Sequence, residues 1–316
     1  MSSKTEEALE HIKSAESSLK TSLLKWRPDY DSAADEYNKA ATCYRLAKST
    51  EKAKECLRRA SFCYKENKSL FHAGKSLEQA LLLCKDSGTP EEIRKYAEDA
   101  CSLYQQHGSM DTAAAALVKA ASILEHHNPD ISLYLYQRAA DVVSIEDGSR
   151  QAAEYINKSA RIMVKLQLYD QAADALRREI GCQQQCEAFQ AIGRLTVALV
   201  LVQLARGDCV AAEKAFKEWG NYCDAPEVHT LEMLLQSFDD EDPEGAAQAL
   251  ASPFIKHMDI EFANLARTLP LPQGISAPKA VVRENAATAY VSPSGNSGDQ
   301  QPPAEASGGA DDDELC

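Results

Sequence analysis

Residues 33–63 read AADEYNKAATCYRLAKSTEKAKECLRRASFC and contain the pattern that decides the fold. Three small or apolar positions recur there after a step of twenty residues, namely Ala33 and Ala53, Ala40 and Ala60, and Cys43 and Cys63. The offsets of 0, +7 and +10 place the three positions of one unit on one helical face, because seven residues are close to two turns and ten are close to three. Each unit therefore predicts one amphipathic helix followed by a short turn.

The same three columns extend to about residue 180. The first column is Ala33, Ala53, Ala73, Ile93, Ala113, Leu133, Ala153 and Ala173, the second is Ala40, Ala60, Ala80, Ala100, Ala120, Ala140, Ala160 and Ile180, and the third is Cys43, Cys63, Leu83, Leu103, Ile123, Val143 and Met163. Alanine lets neighbouring helices approach closely, and a two-helix repeat is typical of stacked antiparallel hairpins. We therefore predict an all-α fold, a tetratricopeptide-like α-solenoid with a 20-residue half-repeat.

The chain is predicted to have three parts. Residues 1–180 form the solenoid, because the register stops where residues 182–186, CQQQC, interrupt it. Residues 181–270 form a C-terminal helical bundle, with helices expected at 189–205, 210–219, 228–238 and 243–251. Residues 271–316 are rich in Pro, Gly, Ser, Ala and Asn and lack a periodic apolar face, which is typical of a flexible linker with, here, an acidic end.

Composition excludes several classes of protein. The 316 residues contain 34 Lys and Arg against 48 Asp and Glu, and the net charge of −14 argues against general affinity for nucleic acid or anionic lipid. The longest mostly apolar run, 195–205, is about half of the roughly 20 residues that cross a bilayer, and the first residues lack the apolar core of a signal peptide. We therefore expect a cytoplasmic protein with reduced cysteines.

No catalytic motif is recognisable. Gly-rich phosphate loops, nucleophile elbows, HExxH and dinucleotide fingerprints are all missing from the sequence, which predicts a protein that is not an enzyme and needs no cofactor. Cys182 and Cys186 lie one helical turn apart, but no second ligand pair with zinc spacing is near, so we expect no metal site. Tyr44, Tyr64 and Tyr104 are interpreted as the edge of the core rather than a ligand cage.

Two segments are not explained by the repeat. The apolar loop after the first helix contains Leu23, Leu24 and Trp26, which either pack against the first hairpin as a hydrophobic staple or contact a membrane or partner. The acidic end is Asp311, Asp312, Asp313 and Glu314 followed by Leu315. It is either a solubilising tail or a tether with one apolar anchor for a basic surface.

Residues 23–34, LLKWRPDYDSAA, resemble the soluble NSF attachment protein family, NSF being the N-ethylmaleimide-sensitive fusion ATPase, and most closely its gamma type. Similar stretches are residues 40–41, 70–73, 110–114, 135–137, 208–213, 252–259 and 315–316. The resemblance implies a curved sheet of antiparallel helix hairpins with a C-terminal bundle. That architecture agrees with the one predicted from the periodicity alone.

The resemblance also implies a function. It suggests an adaptor, peripherally associated with membranes, that binds the four-helix SNARE bundle (syntaxin-type) and recruits the hexameric NSF ATPase for SNARE disassembly in vesicle trafficking. By resemblance, Leu315 and the four acidic residues before it stimulate the ATPase, and the loop of Leu23, Leu24 and Trp26 contacts the membrane. The basic residues for SNARE binding resemble Lys158, Arg161 and Lys165. A generic tetratricopeptide-like scaffold in a regulatory complex is the alternative.

Overall fold

The computed structural model describes residues 2–21, 26–144 and 149–273. Within these ranges it contains fifteen α-helices, one short 3-10 helix at Gly220–Tyr222, and no strand, which confirms the all-α prediction. The helices are α1 Ser2–Leu19, α2 Tyr30–Leu46, α3 Thr50–Glu66, α4 Leu70–Leu83, α5 Pro90–His107, α6 Met110–Leu124, α7 Pro129–Val143, α8 Ser149–Lys165, α9 Tyr169–Gln185, α10 Phe189–Ala205, α11 Cys209–Trp219, α12 Ala225–Asp239, α13 Pro243–Leu250, α14 Pro253–Lys256 and α15 Ile260–Thr268.

The alanine columns form the seams between these helices. Every residue of the second column, from Ala40 to Ile180, has no exposed surface, and the whole first column is buried as well. Each helix from α2 to α9 packs mainly on the helix before it and the helix after it in the chain, as in a solenoid. The third column is less uniform, because Leu83 and Ile123 are only half-buried and the following Cys84 and Leu124 are buried in their place.

The turns between helices repeat the same backbone hydrogen bonds. After α2 the N–H of Lys48 donates to the carbonyl of Arg45 at 3.0 Å, and the N–H of Ser49 donates to that of Tyr44 at 2.9 Å. This is a Schellman ending, in which Lys48 itself adopts the left-handed conformation with a φ of 56°. Six helices, α2, α3, α5, α8, α9 and α10, end in this way, and their left-handed residues are Lys48, Lys68, Gly108, Gln167, Glu187 and Gly207. Only two of the six are glycine, so the backbone geometry is imposed by the helix packing.

The prediction that residues 182–186 interrupt the helical repeat is wrong. Helix α9 continues to Gln185 and Cys186 is its C-cap, because glutamine is a good helix former and does not break a helix. Helices α9, α10 and α11 begin at Tyr169, Phe189 and Cys209, so the twenty-residue step continues for two further helices. All described residues belong to one compact unit, and the domain boundary at residue 180 stays a prediction.

The C-terminal helices return to the solenoid. Helix α10 is buried on almost all sides between Ile192 and Leu204, and α15 packs against both α8 and α10. Four of these helices match the ranges expected from the sequence within about three residues, but α14 and α15 were not predicted. Both are short and have no repeat partner, so periodicity carries no information about them. The contact between α15 and α8 positions the site described next.

Candidate functional site

The basic residues of α8 lie beside its buried face. Lys158 donates from Nζ to Glu154 Oε1 at 2.9 Å, and its Nζ lies 5.7 Å from the centroid of the Tyr136 ring. About a third of the Lys158 side chain is exposed, so its charge is accessible from solvent. Lys165 is exposed at the last turn of the same helix. These two lysines are therefore available on one surface of the solenoid.

Arg161, which lies between them in sequence, is already paired within the chain. Its Nε donates to Glu261 Oε2 at 2.7 Å, and its Nη1 lies 3.9 Å from Asp259 Oδ1. Asp259 is the N-cap of α15 and Glu261 is in its first turn. Negative side chains at these positions stabilise a helix, because they interact favourably with the positive end of its dipole. The guanidinium thus joins α8 to α15 and stabilises the closure of the C-terminal helices onto the solenoid.

A cavity of about 210 Å³ lies next to this contact, between α8, α9, α10 and the segment before α15. Its lining includes Asn157, Glu179, Arg194, His257 and Asp259. The Glu179 side chain is almost completely buried, and Asn157 Nδ2 donates to its two carboxyl oxygens at 3.2 and 3.3 Å. Burial raises the pKa of Glu179 to about 8, and the hydrogen bond from Asn157 opposes that rise. The carboxyl is therefore mostly protonated at neutral pH.

Sequence reasoning missed Glu179. The residue one place before the second column is exposed in the five earlier repeats, as Lys39, Arg59, Gln79, Asp99 and Lys119, and is buried in the next two, as Ala139 and Ser159. In α9 the corresponding position is covered by the segment before α15. The sequence carries no signal specific to Glu179, because the acidic Asp99 occupies the same position in another repeat and is exposed.

The described residues of the loop between α1 and α2 include the aromatic Trp26 and the polar Asp29. The N–H of Asp29 donates to the carbonyl of Ser18 at 3.0 Å, and Asp29 Oδ1 accepts from the N–H of Ser32 at 3.1 Å. These bonds join Asp29, the last residue of the loop, to both helices. Trp26 is 88% exposed, so the indole does not act as the hydrophobic staple considered above. Leu23 and Leu24 lie outside the described residues.

The acidic end, Asp311, Asp312, Asp313, Glu314 and Leu315, also lies outside the described residues. Its expected role therefore stays a prediction. Among the helices in residues 2–21, 26–144 and 149–273, none combines the length and apolar character that spanning a membrane requires.

Comparison with known families identifies the chain at this point. The family model described as soluble NSF attachment protein, SNAP, matches residues 6–252, from α1 to the end of α13. The chain belongs to the soluble NSF attachment protein family. The match to this family includes the loop between α1 and α2 as well as α8, and it ends before α15 and the acidic end.

Similar members of the family are gamma-soluble NSF attachment proteins. The protein of that name from Dictyostelium discoideum is 24% identical over 263 residues, which cover 82% of this chain and 81% of the relative. The one from Arabidopsis thaliana is 25% identical over 259 residues, covering 81% and 89%. A solved structure, the crystal structure of BtubC (BKLC) from P. vanneervenii, covers 70% of this chain and 88% of its own, with 15% identity and a TM-score of 0.37. That likeness is too weak to support an argument.

Proposed function

We propose that this chain is an adaptor that binds SNARE complexes and recruits and stimulates the NSF ATPase for their disassembly. The observation that carries the proposal is the family match over residues 6–252. Members of the family are SNARE and NSF adaptors rather than enzymes, and the two gamma-type relatives cover more than four fifths of this chain. In this proposal the ATP chemistry belongs to the partner ATPase.

The surface proposed for the SNARE bundle is the basic side of α8. Lys158 and Lys165 offer exposed positive charge there, which is complementary to an acidic helical bundle. Arg161 belongs to the same proposal, but its pairing with Glu261 supports an additional role in holding α15. Replacing Arg161 alone would therefore not distinguish a loss of SNARE binding from a loss of the packing of α15.

The loop between α1 and α2 is proposed to contact the membrane, and the acidic end is proposed to contact the ATPase. Trp26 is exposed between the basic residues Lys20 and Arg27, a combination that suits a weak interaction with an anionic lipid surface together with Leu23 and Leu24. The carboxylates of residues 311–314 would direct the end to a basic patch on the ATPase, and Leu315 would supply the short-range apolar contact.

The test measures retention of the NSF ATPase on an immobilised SNARE complex in the presence of a non-hydrolysable ATP analogue. The proposal expects retention only when this chain is added. Reversal of two charges, Lys158→Glu with Lys165→Glu, should weaken SNARE binding in a salt-dependent manner. Lys217→Glu is the matched control, because Lys217 pairs with Glu213 four residues earlier at 2.9 Å, as Lys158 does with Glu154. An equal effect of both changes, or none, would remove α8 from the proposal.

Two further arms separate the adaptor from a generic scaffold. Leu315→Ala should reduce stimulated ATP hydrolysis and leave SNARE binding intact, whereas Val282→Ala, an apolar residue elsewhere in residues 271–316, should change neither. Replacing Leu23, Leu24 and Trp26 together by Ser should reduce disassembly only for liposome-anchored complexes, with the exposed Val210→Ser as control. Normal disassembly by the Leu315→Ala protein at limiting concentration would favour the scaffold alternative.

A further inference from the structure

Three different metal-ligand side chains meet where α1 packs on α2. One ligand atom each from Glu7, His11 and Cys43 lies within 4.8 Å of the other two. Glu7 and His11 are four residues apart on α1, so one helical turn places them on the same face, and Cys43 approaches from α2. A carboxylate, an imidazole and a thiol therefore converge on one point from two helices.

A fourth side chain orients the imidazole. His11 Nδ1 lies 2.7 Å from Glu36 Oε2, and the other oxygen of Glu36 accepts from Lys39 Nζ at 2.6 Å. When Nδ1 donates its proton to a carboxylate, the lone pair for a metal is on Nε2. A carboxylate behind a histidine is the usual arrangement around zinc ligands, where it fixes the tautomer and the ring orientation. Lys39 holds the other oxygen of Glu36, which fixes the position of this carboxylate beside the imidazole.

We propose that Glu7, His11 and Cys43 bind a zinc ion that joins α1 to α2, with Glu36 as the positioning residue for His11. Thiolate and imidazole ligands select zinc over the hard cations magnesium and calcium. Zinc bonds of about 2.0–2.3 Å in a tetrahedron require ligand atoms about 3.3–3.8 Å apart, so small side-chain movements complete the geometry. Water takes the fourth position, because the side chains of Glu7 and His11 are 42% and 28% exposed. Binding releases the proton of Cys43 to solvent as the sulfur–metal bond forms.

The site closes the open end of the first hairpin. The loop that contains Trp26 connects α1 and α2 at one end, whereas Glu7 is near the start of α1 and Cys43 near the end of α2. A metal at this position would therefore hold both ends of α1. Cys63 provides the internal comparison, because it occupies the same column twenty residues later and is equally buried without belonging to this cluster.

The experiment uses Co²⁺ as a spectroscopic probe of zinc binding to the full-length, metal-free, reduced protein. One equivalent of Co²⁺ should produce a thiolate-to-cobalt charge-transfer band in the near ultraviolet, and Zn²⁺ should abolish it by displacement. Cys43→Ser should remove the band and Cys63→Ser should leave it unchanged. His11→Gln, at a partly exposed position, should also remove it, which covers the case in which Cys43→Ser fails to fold.

The positioning role of Glu36 has its own readout. Glu36→Gln should keep the band and weaken Co²⁺ binding by about 10–100-fold. Zn²⁺ should raise the melting temperature of the wild-type protein and not that of His11→Gln. The absence of a band in the wild type, or a band that survives both Cys43→Ser and His11→Gln, would overturn the site. The cluster would then be only a hydrogen-bonded contact between two helices.

Discussion

Helices α2–α9 and helices α10–α15 are stabilised by contacts of different range. In the first region every helix is held by its sequence neighbours through columns that are mostly alanine. In the second, α15 is held by residues about one hundred positions earlier, as in the ion pair of Arg161 and Glu261. Periodicity therefore predicts packing only where each helix contacts the next one. Substitutions can separate the two kinds of contact.

The largest effect is expected at an alanine seam. Ala80→Phe should lower the free energy of unfolding by about 1–3 kcal/mol, because a fully buried position between close helices has no room for a ring. Chemical denaturation measures the change. Leu82→Phe, two residues later on the same helix and half-exposed, is the control and should change it by less than about 0.5 kcal/mol. Equal effects would contradict the assignment of the columns as seams.

The next largest effect is expected from Glu179, the buried acid packed under the segment before α15. The pKa of Glu179 is raised from 4.5 to about 8, so the folded chain holds an extra proton between these values and loses stability as the pH rises through them. Glu179→Gln should remove this dependence and stabilise the protein by about 1–2 kcal/mol at pH 8. Thermal unfolding at pH 5 and pH 8 measures it. A wild-type stability that does not fall between those two pH values would contradict the buried, protonated carboxyl.

A smaller effect is expected from the long-range ion pair. Arg161→Met should lower the free energy of unfolding by about 0.5–1.5 kcal/mol, because it leaves the partly buried Glu261 without its charged donor. Hydrogen exchange of α15 should rise while that of α3 stays unchanged. The exposed pair of Arg177 and Asp174 supplies the control, and Arg177→Met should have almost no effect. Faster hydrogen exchange in α3 as well as α15 would mean that the ion pair stabilises both regions and not α15 alone.

The smallest effect tests what the two regions share. Lys68 and Glu187 both end their helices with positive φ, of 60° and 54°, one inside the solenoid and one just before α10. Lys68→Gly and Glu187→Gly should each stabilise the protein by up to about 1 kcal/mol, because glycine adopts this conformation without strain. Gly108→Ala should have the opposite sign. Different responses at the two sites would show that the turn geometry changes at the junction.

Some features of the proposed sites can be predicted from the sequence, whereas others depend on contacts between residues far apart in the chain. The exposure of Trp26 follows from a loop that fits no column of the repeat, so the sequence could indicate it. The pairing of Arg161 could not be predicted, since its partner is on α15, a nine-residue helix without periodic context. The i, i+3, i+7 spacing of Lys158, Arg161 and Lys165 places them on one side of α8 and leaves their partners undetermined.

The all-α class, the twenty-residue helical step and the buried columns can be predicted from the amino-acid sequence, because they depend on contacts between helices that follow each other. The sequence also carries the family resemblance. The burial of Glu179, the packing of α15 on α8, and the meeting of Glu7, His11 and Cys43 are visible only in the folded chain. The physical reason is that burial, pKa and ligand geometry depend on which distant residues come together, and no local period records those distances.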